Sequence, residues 1–275
     1  MRRVITGLAL ATAATLVTVA PAQAAPANPV KTLKQQFKPG HGVRVSETVR
    51  SFNDGKAAGV TRTTGKLEFG KSAVVGADLS NRYKSPRGKQ GDPFLSILGA
   101  TRTISAGGST YMQGGLFADE LPEGKKWIRY EGATTYQTNQ LVDIFNPKVL
   151  KGLVSKAKNV KGDYKGTTTL KHLASLQGVQ LSGTFAKVKV NYLIDTNGKG
   201  LITRVVSDWT LDYGIMGRSR SVTESRYTAW GAKVKITAPP KSQWIDSADL
   251  LSGRTDSDVP SEIPDNAISS LGVGR

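Results

Sequence analysis

The chain has 275 residues, with 38 Lys and Arg against 21 Asp and Glu, a formal net charge of +17, two histidines and no cysteine. Without cysteine it can form no disulfide framework, thiolate metal site or thiol nucleophile, and it cannot carry the acyl chains of a bacterial lipoprotein. Its length suits one domain, or at most two.

Arg2 and Arg3 precede sixteen mostly apolar residues, Val4 to Val19, and then the small-residue pattern Ala22-Gln23-Ala24. This is the layout of a secretory signal peptide and predicts cleavage after Ala24. A transmembrane anchor is disfavoured, because the run is shorter than the roughly 20 residues that span a bilayer. The expected organisation is a signal peptide over 1–24, one domain over 25–245 and a tail over 246–275. The tail carries six acidic residues against Arg254 and Arg275, and its Ser, Asp, Gly and Pro content reads as disordered. Residues 25–245 hold 34 basic and 15 acidic groups, so a basic domain precedes an acidic tail. The protein is expected to be secreted or extracytoplasmic, in the cell envelope, without a lipid anchor.

In chain order, Val30, Leu33 and Phe37 suggest a short amphipathic helix ending at Pro39-Gly40. Three strands follow over 42–52, 60–69 and 72–83, where Val, Thr and aromatic residues alternate with polar ones and Asn53-Asp54-Gly55 and Gly70-Lys71 mark the breaks. Further strands are expected over 98–106, 109–117 and 125–132. Asn146 and Pro147 then form an N-cap and first helical position, and Val149, Leu150, Leu153, Val154 and Ala157 make an apolar stripe behind them. A second helix is expected from Thr169, with Leu170, Leu173 and Ala174 on one face and Gly178 as the stop. Val188, Val190, Tyr192 and Ile194 alternate with Lys187, Lys189, Asn191 and Asp195, and Asn197-Gly198 predicts a tight two-residue hairpin. Its return strand is expected to place Leu201, Thr203, Val205, Ser207, Trp209, Leu211 and Tyr213 on one face. Two more strands are expected over 219–230 and 232–239.

This pattern predicts an α+β fold, a large curved antiparallel β-sheet (half-barrel) with two or three helices covering the concave face. Periodicity does not distinguish a filled hollow from an open one.

Catalytic constellations are hard to assemble. His41 and His172 are far apart, and no nucleophile elbow or phosphate-binding loop is present. Asp208 and Asp212, four residues apart on one strand, would be about 13 Å apart at about 3.3 Å per residue. Glycosidase pairs need about 5 to 9.5 Å. No catalytic residue, metal site or cofactor is expected, and the protein is read as not an enzyme. Lys148, Lys151, Lys156, Lys158, Lys161, Lys165 and Lys171 face a single acid, Asp163, between 147 and 171. They form either a solubilising helix and loop or a docking surface for anionic membrane or cell-wall polymer, with Lys148, Lys151, Lys156 and Lys158 as its candidates. Nucleic acid is not an expected partner, because few aromatic residues interleave with this run.

The chain resembles the LppX/LprG-type lipoproteins of mycobacteria and other actinobacteria. The resemblance is carried by GKKWIRYEG, NPKVLKGLVSKAKNV, GTTTLKHLASL, VNYLIDTNGKGLITRVV and SRYTAWGAKVKITAPP, and it covers much of residues 41–245. It implies a half-barrel related in shape to the LolA and LolB carriers, holding acylated lipid in its hollow. The departure is Ala22-Gln23-Ala24-Ala25, where the family typically carries a lipobox cysteine. A secreted, monomeric carrier of lipid or acylated glycolipid is therefore expected. Its cavity would be lined by Leu150, Leu153, Val154, Leu170, Leu173, Val188, Val190, Tyr192, Ile194 and Trp209. The alternative is an envelope adhesion or structural module with a filled core, binding anionic polymers through its lysines.

Overall fold

The computed structural model describes residues 27–86, 100–115, 118–132 and 138–252. The expected signal peptide and the part of the tail beyond Ser252 lie outside the described residues.

The first expected strand group forms, with only its first two strands longer than read: β1 (His41–Asn53), β2 (Lys56–Phe69), β3 (Val74–Lys84), β4 (Ala100–Ala106), β5 (Ser109–Gln113) and β6 (Trp127–Glu131). Asp54 and Gly55 both take positive φ, which closes the β1–β2 hairpin with the backbone twist that such turns need. The second group comprises β7 (Lys158–Val160), β8 (Asp163–Thr169), β9 (Lys189–Thr196), β10 (Ile202–Asp212) and β11 (Arg218–Lys233), and β12 is Trp244–Asp246. All twelve join one open, curved sheet in the order β12-β6-β5-β4-β3-β2-β1-β11-β10-β9-β8-β7. Every neighbouring pair is antiparallel except β12 with β6. The α-helices among the described residues are α1 (Pro29–Gln36), α2 (Pro147–Val154), α3 (Leu170–Leu176), α4 (Gly183–Ala186) and α5 (Ser247–Ser252).

Four details differ from the sequence reading. The lysine-rich stretch after α2 is a hairpin rather than a loop: Lys161 and Gly162 take positive φ and turn β7 into β8. The β9–β10 turn spans four residues, not two. Asn197 N–H donates to the Leu201 carbonyl, Gly200 N–H donates to the Asn197 carbonyl, and positive φ falls on Gly200 rather than Gly198. A register shift between Ile202 and Arg204 then brings Ile202 into the core beside Val205, and Leu201 and Thr203 stay at the margin. The expected separate strand over 232–239 does not form: Ala232 and Lys233 extend β11, whose two edges are paired with β1 and β10. Residues 234–240 instead leave the ladder, with the Val234 N–H on the Gly40 carbonyl and the Ile236 N–H on a Glu68 carboxylate oxygen. Finally, β12 and α5 are short elements that the sequence pattern did not predict.

Alternation gives the two faces of the sheet different chemistry. Val43, Val45, Leu67, Phe69, Leu79, Val190, Tyr192, Ile194 and Val205 form a single core with Leu33 of α1, Val149, Leu150 and Leu153 of α2, and Leu173 of α3. Val142, Ile144 and Phe145, from the irregular segment that leads into α2, complete it. The outer face is laced by arginine–carboxylate pairs, among them Arg102 with Asp78, Arg204 with Asp195 and Glu224, and Arg220 with Asp208. A smaller cluster of Ile104, Tyr111 and Trp127 sits away from the main core under Ile236 and Trp244.

Candidate functional site

The helices are placed by their caps. Asn28 Oδ1 accepts from the backbone N–H groups of Val30 and Lys31 at the start of α1, Asn146 Oδ1 from Lys148 at α2, and Thr169 Oγ1 from His172 at α3. Such caps satisfy donors that the first turn leaves unpaired. Ser155 caps α2 on its C-terminal side, so Ala157 lies beyond the helix whose stripe it was expected to join.

The structure gathers most of the expected lining residues. Leu150, Leu153, Leu173, Val190, Tyr192 and Ile194 are buried together in the main core, with Val154, Leu170 and Trp209 partly buried against it. Val188 falls just before β9 and is not part of that cluster; its carbonyl accepts from Leu170 N–H. The Tyr192 hydroxyl donates to the Leu153 carbonyl at 2.9 Å, tying β9 to the end of α2, and burial pushes its ionisation above the ordinary tyrosine range. Leu150, Val190 and Ile194 are covered completely by other protein atoms, so no water-sized space touches them.

Open space lies one step round α2. A groove of about 860 Å³ runs between α1, the outer side of α2 and the β7–β8 hairpin. Pro29, Val30, Val154 and Tyr164 supply its apolar surface, and Lys31, Lys34 and Lys151 stand on its rim. Of the residues expected from sequence, Val154 borders this groove as an apolar wall and Lys151 as a cation. Lys148, Lys156 and Lys158 are exposed nearby, and Lys156 Nζ lies 3.5 Å from His172 Nε2. Among the described residues every ion pair is made by arginine and none by lysine. The groove cations are therefore available to an external anion.

A second feature had no signal in the sequence. Glu47 points into the hollow from β1 and is buried without a cationic partner. Its Oε1 accepts from the backbone N–H and the side-chain amide of Asn139, and its Oε2 from the Ser225 hydroxyl. In register, Thr63 lies opposite it on β2 and Ser225 on β11, giving a polar row across an otherwise apolar face. Gln140 extends the row to the Val205 carbonyl and the Ser225 hydroxyl. Burying a carboxylate away from any cation is costly unless it is well hydrogen-bonded. What it secures here is the segment that carries Val142, Ile144 and Phe145 into the hollow. Burial, and then the nearby Glu47 carboxylate, raise the ionisation of the adjacent Tyr227 far above its ordinary range.

Asp208 and Asp212 are each held by an arginine, Arg220 and Arg218 respectively. Among the described residues no group of three or more His, Cys, Asp or Glu is arranged to hold a metal ion, and no helix is long and apolar enough to cross a membrane.

No family model matches the sequence, and no curated protein matches it. Among solved structures, the chain is similar to a LolA superfamily protein from Nitrosomonas europaea, at 12% identity over 75% of this chain and 93% of that one, with a TM-score of 0.31. It is similar to a DUF1329 family protein from Desulfovibrio piger, at 11% identity over 76% of this chain and 95% of that one, with a TM-score of 0.30. It is also similar to lipovitellin, in a structure described for its lipid–protein interactions, at 10% identity over 86% of this chain and 31% of that one, with a TM-score of 0.23. At scores of this size the chain's own geometry is the basis for its function.

Proposed function

We propose that this protein is an extracytoplasmic, monomeric, non-enzymatic binding or carrier protein for an acylated anionic lipid, of the general kind that the LppX/LprG resemblance implies. The observation that carries this reading is the groove, where Pro29, Val30, Val154 and Tyr164 form apolar walls and three lysines without carboxylate partners form the rim. Its volume lies within the range of about 300–1,000 Å³ usual for ligand sites. An acyl chain laid against those walls gains about 0.8 kcal/mol per buried methylene before ordering costs, and the lysines are placed to hold a phosphate or carboxylate head. Residues expected to line an interior cavity support the groove from behind, because packing of Leu150 and Leu153 fixes which side of α2 faces out.

Displacement of a fluorescent fatty acid tests this. Val154→Asp should abolish binding with the fold intact, since the new charge can reach water, and Lys31→Gln with Lys151→Gln should weaken it several-fold. Native-strength binding by both variants would remove the groove from consideration. The alternative reading, an envelope module that binds anionic polymers, is favoured by one observation of its own, the packed core behind unpaired lysines. It predicts polymer binding that collapses with salt and no retention of lipid.

A further inference from the structure

We propose that the end of the sheet opposite the groove is a docking surface for an anionic lipid bilayer, with the β10–β11 turn as its inserting tip. Ile215 is fully exposed and Met216 is 79% exposed on that turn, and Tyr213 is beside them. The β8–β9 connection adds Phe185, 48% exposed, and Val179. Register places these segments together: Thr169 at the end of β8 pairs with Lys189 at the start of β9, and Val190 pairs with Trp209 near the end of β10. The groove residue Tyr164 pairs instead with Ile194, toward the other end of the same strands. Five of the seven large apolar side chains exposed among the described residues therefore share one end of the molecule.

The tip is built to present its apolar groups. Gly214 and Gly217 take positive φ, and Tyr213 N–H donates to the Gly217 carbonyl at 2.9 Å. Asp212 Oδ1 accepts from Gly214 N–H, and Asp54 Oδ1 on the β1–β2 turn accepts from Arg218 N–H at 2.7 Å. Asp212 and Asp54 are thus occupied in holding the turn, and Asp212 also pairs with Arg218. Lys56, Lys171, Lys187 and Lys189 are exposed at the same end and take part in no ion pair.

Isolated apolar tips with exposed lysines at the same end suit a bilayer better than a protein. Lysine is depleted in protein interfaces, whereas at a membrane surface it is drawn to anionic headgroups while apolar side chains enter the acyl boundary. Docking by this end leaves the groove facing away from the surface, so this surface is distinct from the lipid site proposed above.

Flotation of the purified chain with vesicles of phosphatidylcholine, alone or with equal phosphatidylglycerol, tests the assignment. Binding to the anionic vesicles is expected at low salt, weaker at high salt. Ile215→Ser with Met216→Ser should reduce it by about tenfold or more without changing the melting temperature, because both side chains are already in water. Lys187→Gln with Lys189→Gln should reduce it and flatten its salt dependence, whereas Val154→Asp in the groove should leave it unchanged. Native-strength flotation of the Ile215/Met216 variant, or no flotation of the native chain, would overturn the proposal. So would loss of self-association by that variant in sedimentation velocity, which would make the tip a contact between copies.

Discussion

Leu153 and Val154 are neighbours on one helix, yet they belong to different parts of the molecule. Leu153 is sealed in the main core and its carbonyl receives the Tyr192 hydroxyl, whereas Val154 forms a wall of the open groove. Each helical residue turns the next by about a quarter of a circle, so the stripe of Val149, Leu150, Leu153 and Val154 wraps far enough to touch two environments. The lesson is that an apolar stripe marks a face but not what lies against it. The predictions that follow work on that contrast between a packed interior and an accessible groove.

The sharpest break comes from placing the same charge on each side of α2. Leu150→Asp buries a carboxylate among Val149, Leu153 and Ile194 with no partner, and should cost more than about 4 kcal/mol, enough to unfold the chain. Val154→Asp should cost less than about 1 kcal/mol, because its carboxylate faces open space. Thermal melts of the two variants check this. If both remain folded, the hollow behind Leu150 holds water and is not the packed core described above.

Glu47 offers the next test, since among the described residues it is the one charged side chain that is buried. Glu47→Leu leaves the Asn139 N–H groups and the Ser225 hydroxyl without their acceptor and should cost about 2–3 kcal/mol. It should also speed hydrogen exchange in residues 139–145 more than in β1–β3, as the segment loosens from the hollow. Uniform protection across both regions would mean that Glu47 does not act as the fastening. Alkali probes the same place. Folding holds Tyr227 protonated above its unfolded pKa, so its contribution is complete below pH of about 10 and is lost as pH rises beyond that. Tyr227→Phe should therefore flatten the alkaline limb of a stability–pH curve.

A smaller effect separates two glycines of the β9–β10 turn, which closes beside α1 at the groove end. A Cβ on Gly200 would lie 2.9 Å from Ala27 Cβ and 3.0 Å from Thr32 Oγ1, at a φ of +75°, whereas a Cβ on Gly198 meets nothing within 4 Å. Gly200→Ala should cost about 1–2 kcal/mol and Gly198→Ala no more than a few tenths, as melting temperatures will show.

These residues also mark what the sequence could and could not convey. Alternation alone located β1–β3, β9 and the greater part of β10 and β11, because period-two patterning is imposed wherever one face is buried. Caps located α2 and α3 for an equally local reason, the unpaired donors of a first turn. The turn at Asn197 was misread because Asn-Gly satisfies a two-residue turn as well as a four-residue one, and the choice depended on Gly200 meeting α1. The fold class was legible, but the groove was not, since Val30, Lys31, Lys151 and Val154 come from helices more than a hundred residues apart. Glu47 was hidden for a related reason: it occupies an inward position of β1, where pattern reading expects an apolar residue. Its partners are Asn139 in an irregular segment and Ser225 on a distant strand. Ile215 and Met216 were visible as letters, but their exposure depends on the two glycines and on Asp54 from another hairpin.

The smallest expected effect lies on the outer face, where the contrast with Glu47 is chemical. Glu224 meets Arg204 at 3.1 Å and Arg226 at 2.7 Å in partial contact with solvent, so its charge is answered by cations rather than by amides and a hydroxyl. Its hydrogen bond to Arg204 is the main cause that holds its ionisation below the ordinary carboxylate range, partly opposed by desolvation, with the charges of Arg204 and Arg226 acting in the same direction as the bond. For an acid with a lowered folded pKa, the stabilisation is present above the unfolded value and is lost as pH falls through the folded one. Solvent screening keeps the contribution below about 1 kcal/mol. Glu224→Gln should therefore lower the melting temperature slightly at neutral pH and low salt, less at high salt, and not at all once the native carboxylate is itself protonated. A difference that persists unchanged into strong acid would assign the loss to packing or hydrogen-bond geometry and not to charge. A salt series at neutral pH on Glu47→Gln, where no cation is present to be screened, should show no comparable dependence.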